Sequence, residues 1–190
     1  MVGDLIAEKV RFALVGGLAV SVRAEPRLTR DVDFAVAASD DAMAEGIIRA
    51  LVGRGYRPDL AQEHATGRLA TVRLSTPDTG QVVVDLLFAS SGIETEVVEN
   101  AELLEVLAGF TVSVATTGHL IALKLLARDD RSRPADADDL RALRMVAGER
   151  DWAQARAALA LIRERGYERG RDLAAAFAEI HAARNRPTTR

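Results

Sequence analysis

The hydrophobic period of this chain changes near Thr116. Up to that residue, apolar side chains form short runs and alternating stretches separated by Gly, Pro and Asp, a pattern typical of β-strands joined by short helices. Beyond it, apolar residues recur at helical spacing, which predicts amphipathic helices. We therefore expect an α/β part over residues 1–115 and an all-helical part over residues 116–190.

Turn and cap residues divide the α/β part into elements. Ser39, followed by Asp40 and Asp41, indicates a helix start, because a hydroxyl caps free N–H groups and early acids favour the helix dipole. That helix is expected to end at Gly53 or Gly55. Weak or short helices are also predicted over 2–9 and 18–24, and strands over 12–15, 31–37, 67–75, 81–89, 103–107 and 111–114, with a hairpin turn at 76–80.

The helical part divides into four predicted helices, over residues 117–128, 136–147, 152–165 and 171–183. Trp152, the sole tryptophan, stands at a helix start and is expected to anchor the core. The last residues, 185–190, are expected to fray.

Composition narrows the functional classes. Hydrophobic residues make up 48% of the chain and aromatic residues only 4%, so the core must be built mainly from Ala, Val and Leu. The absence of cysteine excludes disulfides and Cys-ligated zinc, and a cytoplasmic protein is the simplest interpretation. Acidic residues near the N-terminus and the lack of a long apolar run argue against a signal peptide and against a membrane span.

Charge is distributed unevenly along the chain. Residues 141–190 carry a net +5, whereas residues 1–140 carry −8. An acidic body that binds metal, joined to a basic segment that contacts phosphates, is one interpretation. The other interpretation, slightly favoured for this segment alone, is a set of arginine-rich helix faces in solvent.

Two aspartates on one strand are the first candidate site residues. In the predicted strand Asp31-Val32-Asp33-Phe34, alternate side chains share a face, so Asp31 and Asp33 point the same way. Two carboxylates on one face repel each other unless a cation lies between them, and Mg²⁺ prefers oxygen ligands. The alternative is a pair of solvated acids on an edge strand.

A third aspartate interrupts an apolar strand. Asp85 lies within Val82–Phe88, where a carboxylate is costly to bury unless it is paired or binds metal. It is either a third metal ligand or the partner of an arginine on the neighbouring strand, such as Arg73. Together with the Asp-x-Asp pair, Asp85 indicates a two-metal site, which needs bridging and terminal carboxylates.

Two glycines separate the first strand from the short helix. Gly16 and Gly17 let the backbone approach a ligand, and a helix N-terminus offers free N–H groups to a phosphate. Ser21, one turn further, is a candidate phosphate contact, although no local base makes it a nucleophile. The chain has no Walker loop, which disfavours a P-loop kinase, and its three histidines show no metal-binding spacing.

These motifs together resemble those of a known superfamily. Leu14-Val15-Gly16-Gly17, thirteen intervening residues, Asp31-Val32-Asp33 and the later Asp85 are similar to the signature of DNA polymerase β-like nucleotidyltransferases. More narrowly, Gly17-Leu18-Ala19 with Arg27-x-Thr29-x-Asp31 resembles the AbiEii-type nucleotidyltransferases, which are toxins of toxin–antitoxin pairs.

A later segment adds to the resemblance. Leu120–Ala127, followed by Arg131, Asp136 and Asp139, is similar to that family's helical motif. Ala135 departs from it, because the family more often has Arg beside this aspartate. The resemblance extends from about Phe12 to Leu140 and implies an α+β fold with a mixed sheet and a helical C-terminal region.

The resemblance also implies a reaction. An acceptor hydroxyl attacks the α-phosphate of a nucleoside triphosphate, and pyrophosphate leaves. Asp31 and Asp33 are expected to hold magnesium on the triphosphate, and Asp85 is expected to help hold a second Mg²⁺ that lowers the pKa of the hydroxyl. Gly16 and Gly17 are expected to direct N–H groups at the β- and γ-phosphates.

Four further side chains are candidates for nucleotide binding or its support. Lys124, one of only two lysines, is expected to reach the triphosphate from the helical part; the alternative is a surface lysine extending from its helix. Arg27 and Thr29 contact phosphate or anchor a loop. Asp136 is expected mainly to cap its helix, and Asp139 either orients Lys124 or Arg131 or caps as well.

The expected function is therefore magnesium-dependent transfer of a nucleotide, with a tRNA or other RNA end as the favoured acceptor and an antitoxin as a partner. A small molecule or a protein hydroxyl are alternative acceptors, since the site requires only a hydroxyl. A second hypothesis is a non-catalytic module that binds nucleotide or a partner and retains the fold. The three intact aspartates count against that module.

Overall fold

The computed structural model describes residues 1–29, 31–76, 82–128 and 134–183. In chain order the elements are α1 (Val2–Ala7), β1 (Phe12–Val15), α2 (Gly16–Arg23), β2 (Asp31–Val36), α3 (Asp41–Gly53), β3 (Arg57–Glu63), β4 (Leu69–Ser75), β5 (Val83–Leu87), α4 (Glu94–Glu99), β6 (Glu102–Leu107), β7 (Phe110–Val114), α5 (Thr117–Ala127), α6 (Pro134–Val146), α7 (Glu149–Glu164) and α8 (Leu173–Ala182).

The strands form one seven-stranded sheet in the order β3-β4-β5-β2-β1-β7-β6. The neighbours β2–β5 and β1–β7 are parallel, and the other pairs are antiparallel. The sheet is thus mixed, and within the described ranges only helices follow β7. This confirms the expected α+β class with a helical C-terminal region. β7 ends at Val114 and α5 begins at Thr117, and the division into two domains at this point stays a prediction.

The core runs from the sheet into the C-terminal helices. β4 and β5 bury alternate residues, such as Val84 and Leu86, because successive side chains of a strand point to opposite faces of the sheet. On α5, Leu120, Ile121 and Leu125 are fully buried and belong to the same cluster. Trp152 is 2% exposed, so the prediction that it anchors the core is confirmed.

Several element boundaries differ from the expected ones. Asp40, rather than Ser39, caps α3, since its carboxylate accepts a hydrogen bond from the Met43 N–H at 2.8 Å. The helix α2 begins at Gly16 instead of residue 18. Neither α4 nor β3 was expected; β3 is exposed along its whole length and has no alternating apolar pattern, so only its pairing with β4 makes it a strand.

Some expected features fall outside the described residues. They are most of the hairpin turn at 76–80, the start of the predicted strand at residue 81, Arg131 of the helical motif, and the C-terminal residues 185–190.

Many arginines of the basic segment hold the helices to the rest of the fold. Arg165 forms an ion pair with Glu96 at 2.5 Å, and Arg171 donates to the Leu126 carbonyl at 3.1 Å. Arg144 donates to the Ala183 carbonyl at 2.8 Å. These side chains therefore stabilise the fold rather than forming a free phosphate-binding surface. Across the part of the chain that the structure describes, no helix has the length and hydrophobicity to cross a bilayer.

Candidate active site

The register of two parallel strands brings Asp33 and Asp85 side by side. In the β2–β5 pair, Asp33 lies directly opposite Asp85, and Asp31 lies two residues earlier on the same face of β2. Asp85, the third carboxylate, thus lies on the strand next to Asp31 and Asp33, in the middle of the sheet. The alternative of solvated acids on an edge strand does not apply, because β2 lies between β5 and β1.

Gly16 provides the space beside Asp33. Val15 pairs with Asp33 across β1 and β2, so the next residue lies next to the carboxylate. A Cβ added at Gly16 would lie 2.6 Å from Asp33 Cγ, and the backbone there has φ +65°. Both conditions require glycine. Because α2 begins at this residue, the N–H groups of its first turn, which have no intrahelical acceptor, start beside Asp33.

Arg73 on β4 lies across from Asp85. Its Nε donates to Asp85 Oδ1 at 2.9 Å, and its Nη2 donates to Oδ2 at 2.7 Å. The same Nη2 lies 3.8 Å from Asp31 Oδ2. The arginine partner considered as the alternative role of Asp85 is therefore present, and the hydrogen bonds to Asp85 raise the pKa of Arg73.

Asp33 is the aspartate of the cluster whose pKa is raised most clearly. Burial, together with the negative charges of Asp85 and Asp31, raises its pKa from 3.8 to about 6, although Lys124 and Arg73 partly offset this effect. A carboxylate in this position is stabilised by any cation that approaches it.

This raised pKa predicts a pH-dependent stability. The folded state binds the Asp33 proton more tightly than the unfolded chain, so ionisation of Asp33 destabilises the fold progressively between about pH 4 and pH 6. In metal-free buffer, we expect Asp33→Asn to gain about 2 kcal/mol of unfolding free energy over the wild type above pH 6, and much less at pH 4. Urea denaturation at both pH values measures this difference. A gain that is equal at the two pH values would contradict the assignment.

Helices α5 and α6 supply the opposite wall. Lys124 Nζ lies 2.7 Å from both Asp136 Oδ1 and Asp139 Oδ2. The Lys124 side chain is only 12% exposed, so it is not a surface lysine extending from its helix. Asp136 and Asp139 hold it in place, and Asp136 also lies in the first turn of α6, where a capping acid was expected.

Arg27 joins this network from the loop before β2. It donates to Asp139 through Nε at 2.5 Å and through Nη2 at 2.8 Å. Burial raises the pKa of Asp139, but the hydrogen bonds from Arg27 and Lys124 outweigh it and hold that pKa below its usual value. A Cβ added at Gly17 would lie 2.9 Å from Arg27 Cζ, so the second glycine admits the guanidinium beside α2.

These walls enclose a cleft of about 410 Å³. Among the residues that line it are Gly16, Asp33, Arg73, Asp85, Lys124 and Asp136. Sequence reasoning did not place Arg73 and Asp136 in the cleft. The only available signals were the position of Arg73 on a strand next to Asp85 and the spacing of Asp136 from Asp139.

Five candidate residues lie outside this lining. Two of them are Gly17 and Asp31, whose side chain is 46% exposed. The other three are Ser21, Arg27 and Thr29. Ser21 Oγ donates to the Gly17 carbonyl at 3.1 Å and accepts from the Arg27 N–H at 3.3 Å. Thr29 Oγ1 donates to the Asp31 carbonyl at 3.3 Å. Ser21 and Thr29 therefore shape the loop, and Arg27 is engaged by Asp139. A direct phosphate contact by any of the three stays a prediction.

The donor set suits a hard divalent cation such as Mg²⁺. Carboxylate oxygens are its preferred ligands, and Asp136 Oδ2 is buried without a hydrogen-bond partner among the described residues. One feature opposes immediate binding. No three acidic or histidine side chains of the described ranges are already arranged around one ion, and Arg73 contacts both Asp85 and Asp31. The donor chemistry therefore fits the cation, whereas the described carboxylates are not gathered around one ion position and Arg73 occupies both oxygens of Asp85.

Comparison with solved structures finds remote likenesses to nucleotidyltransferases. An antigenic nucleotidyltransferase-like protein from Paracoccidioides brasiliensis is 16% identical, with 93% of this chain and 88% of that chain covered and a TM-score of 0.47. The antibiotic-resistance factor ANT(2″)-Ia is 19% identical, with 95% of this chain and 89% of that chain covered and a TM-score of 0.46. The lincosamide antibiotic adenylyltransferase LnuA is 14% identical, with 75% of this chain and 91% of that chain covered and a TM-score of 0.45. No curated protein matches the sequence.

Comparison with protein families gives a match along nearly the whole chain. The family model of the nucleotidyl transferase AbiEii toxin, of type IV toxin–antitoxin systems, matches residues 4–189. The match includes the glycine turn, all the aspartates of the cleft and Lys124, and it confirms the resemblance noted in the sequence. Because it spans nearly the whole chain, the protein belongs to the AbiEii family of nucleotidyl transferase toxins.

Proposed function

We propose that this protein transfers a nucleoside monophosphate from a nucleoside triphosphate to a hydroxyl at an RNA end, most readily that of a tRNA, with magnesium as cofactor. The observation that carries the proposal is the single cleft in which Asp33, Asp85, Gly16 and Lys124 meet. Family membership supports nucleotidyl transfer in general. The metal and the acceptor are the specific parts of the proposal.

Asp31, Asp33 and Asp85 are the residues that would hold two magnesium ions. When bound, magnesium neutralises phosphate oxygens and activates the attacking hydroxyl. The chain's own contribution is to bring three negative charges to one face of the sheet, with Asp33 partly buried and opposite Asp85. The raised pKa of Asp33 is consistent with a site designed for added positive charge.

Donors from the start of α2, beside Asp33, and from α5 on the opposite wall would bind the triphosphate. The first-turn N–H groups of α2, from Gly16 and Gly17, are donors for phosphate oxygens. Lys124 adds a positive charge whose direction is set by Asp136 and Asp139. An ammonium has three donors, which two carboxylates do not exhaust. Arg27 would act by positioning, since its ion pair with Asp139 fixes the network that holds Lys124.

Gly16→Ala tests the proximity of α2 to the carboxylates. We expect loss of transfer, because the added methyl group overlaps Asp33 and moves either the carboxylate or the start of α2. Gly109→Ala is the matched control: its φ is +74°, but its added Cβ meets no atom within 4 Å. Both variants should lose about 1 kcal/mol of stability through backbone strain. Gly109→Ala should retain transfer, and equal activity of the two variants would contradict the proposed role of Gly16.

Three cations of the cleft, which balance its three aspartates Asp33, Asp85 and Asp136, are the proposed contacts for an RNA end. Arg73, Lys124 and Arg169 all line the cleft, and Arg169 is held by donating to the Ser90 carbonyl at 2.7 Å. Phosphates of both the nucleotide and an adjacent polymer end would be stabilised by these cations. The basic segment as a whole contributes less support than its charge indicates, because Arg165 and Arg171 are bound to the rest of the fold.

The test is incubation of the purified protein with each labelled nucleoside triphosphate, magnesium and total tRNA. Label on RNA that disappears in Asp33→Asn supports the proposal. Label on an added aminoglycoside or on protein would replace RNA with another acceptor. Nucleotide binding without transfer, unchanged in Asp33→Asn, would indicate a non-catalytic module.

An antitoxin is the proposed protein partner, because the family consists of toxins from toxin–antitoxin systems. Expression of the chain should then arrest growth, and co-expression of a small regulator encoded beside it should relieve the arrest. Growth arrest by an Asp33→Asn variant would separate the toxicity from nucleotidyl transfer.

A further inference from the structure

Arg73 lies at the position that a metal ion needs. It pairs with Asp85 across β4 and β5, and its two parallel hydrogen bonds occupy both carboxylate oxygens, at 2.9 and 2.7 Å. Its Nη2 is also 3.8 Å from Asp31. A divalent cation and this guanidinium cannot use the same oxygens at once. Positive charge from either one reduces the repulsion among the carboxylates, since Asp33 lies opposite Asp85 and Asp31 lies two residues earlier on the same face of β2.

We propose that Arg73 is a built-in competitor of the divalent cation: it holds Asp85 in the metal-free protein, is displaced when the cation binds, and then binds the triphosphate. This inference rests on the proposed function, because it requires that the aspartates bind metal. Under this proposal the cation binds first and releases Arg73 from Asp85. The released Arg73 side chain then binds the triphosphate.

The exposure of the two partners favours this exchange. The Arg73 side chain is 40% exposed, whereas that of Asp85 is 14% exposed and fixed on a central strand. The guanidinium can therefore turn away without opening the core, while the carboxylate stays in place for the cation. Arg73 lines the same cleft as Lys124, so the released group remains within the site.

A polyphosphate is the natural second partner for this side chain. The planar guanidinium presents two parallel donors that match a pair of phosphate oxygens as well as a carboxylate. Loss of Asp85 as a partner leaves those donors facing a cleft that the triphosphate is proposed to fill. Lysine at position 73 would retain the charge but not the paired donors.

Mn²⁺ binding, followed through the loss of the free-ion EPR signal, tests the competition. We expect Arg73→Gln to bind Mn²⁺ roughly tenfold more tightly than the wild type, because a competing positive charge has been removed from the carboxylates. Arg68→Gln is the matched control, since Arg68 pairs with Asp41 at 2.8 Å, and neither residue lines the cleft. It should bind Mn²⁺ as the wild type does.

The outcomes separate this inference from the proposed function. Equal or weaker Mn²⁺ binding by Arg73→Gln, with normal binding by the wild type, overturns the competition but leaves the metal site intact. Absence of Mn²⁺ binding in both proteins overturns the metal site and the competition together. Circular dichroism of each variant establishes that the fold is retained.

Binding of inorganic tripolyphosphate at saturating Mn²⁺ tests the second step without any assumption about the base. We expect roughly tenfold weaker binding by Arg73→Gln than by the wild type, and an intermediate affinity for Arg73→Lys, because a point charge replaces only part of a bidentate contact. Unchanged affinity in Arg73→Gln would overturn the phosphate-binding role.

Discussion

Asp33→Asn is expected to lower nucleotidyl transfer on the order of 10³-fold, because it removes negative charge at the place where the cation is needed to stabilise the transition state. Asp33 is the carboxylate that faces Asp85, adjoins Gly16 and lines the cleft. Its replacement therefore affects the metal site, with little change in volume. The melting temperature of the metal-free protein at pH 7 should rise, since a strained buried charge is removed.

The combination of lost transfer and raised stability distinguishes a functional acid from a structural one. Single-turnover transfer and thermal unfolding, both at pH 7, are the measurements. Asp59→Asn is the control, because Asp59 is an exposed residue of β3 whose carboxylate accepts from Ser75 Oγ at 3.3 Å. It should change neither quantity. Transfer by Asp33→Asn within tenfold of the wild-type rate would exclude Asp33 from the chemistry.

Lys124→Met is expected to destabilise the fold by about 3 kcal/mol, because breaking a buried ion pair leaves an uncompensated charge. It is also expected to abolish transfer, because Lys124 is the proposed contact for the triphosphate. The side chains of Asp136 and Asp139 are 8% and 1% exposed, and Lys124 contacts both at 2.7 Å. Arg27 still compensates Asp139, so most of the loss should come from Asp136. Urea unfolding of the metal-free protein measures it.

A second substitution separates the two roles of Lys124. Asp136→Asn in the Lys124→Met background removes the uncompensated charge, so stability should return in large part while transfer remains absent. Lys124→Arg keeps the charge and should retain the fold. Recovery of transfer in the double variant would show that Lys124 acts only by maintaining the structure, and unchanged stability in Lys124→Met would contradict the buried network.

Much of the local structure follows from residue spacing. The strands β1, β2, β4 and β7 and the four C-terminal helices were predicted close to their observed bounds, because burial imposes a recognisable pattern: a short apolar run in the fully buried β1 and a regular period where one face is buried. The edge strand β3 was missed for the same reason. It buries neither face, so its sequence carries no such period, and its formation depends on the backbone of β4.

The site divides in the same way. Spacing within one strand placed Asp31 and Asp33 on a common face, and the glycines after β1 indicated a close backbone approach. Neither pattern identifies a partner on another strand. The sequence left two alternative roles for Asp85, a metal ligand or the partner of an arginine. The structure shows features of both, because Asp85 is in register with Asp33 and forms an ion pair with Arg73.

The sequence by itself determined the order of most strands and helices, the shared face of two carboxylates, a glycine turn after the first strand, and the resemblance to the family. Only the tertiary structure decided that β5 lies next to β2, that Arg73 holds Asp85, and that Asp136 and Asp139 hold Lys124. The physical reason is the distance along the chain over which each feature is decided. Side-chain direction is set by the backbone of a single element, whereas the choice of neighbours depends on how distant elements bury their apolar faces together.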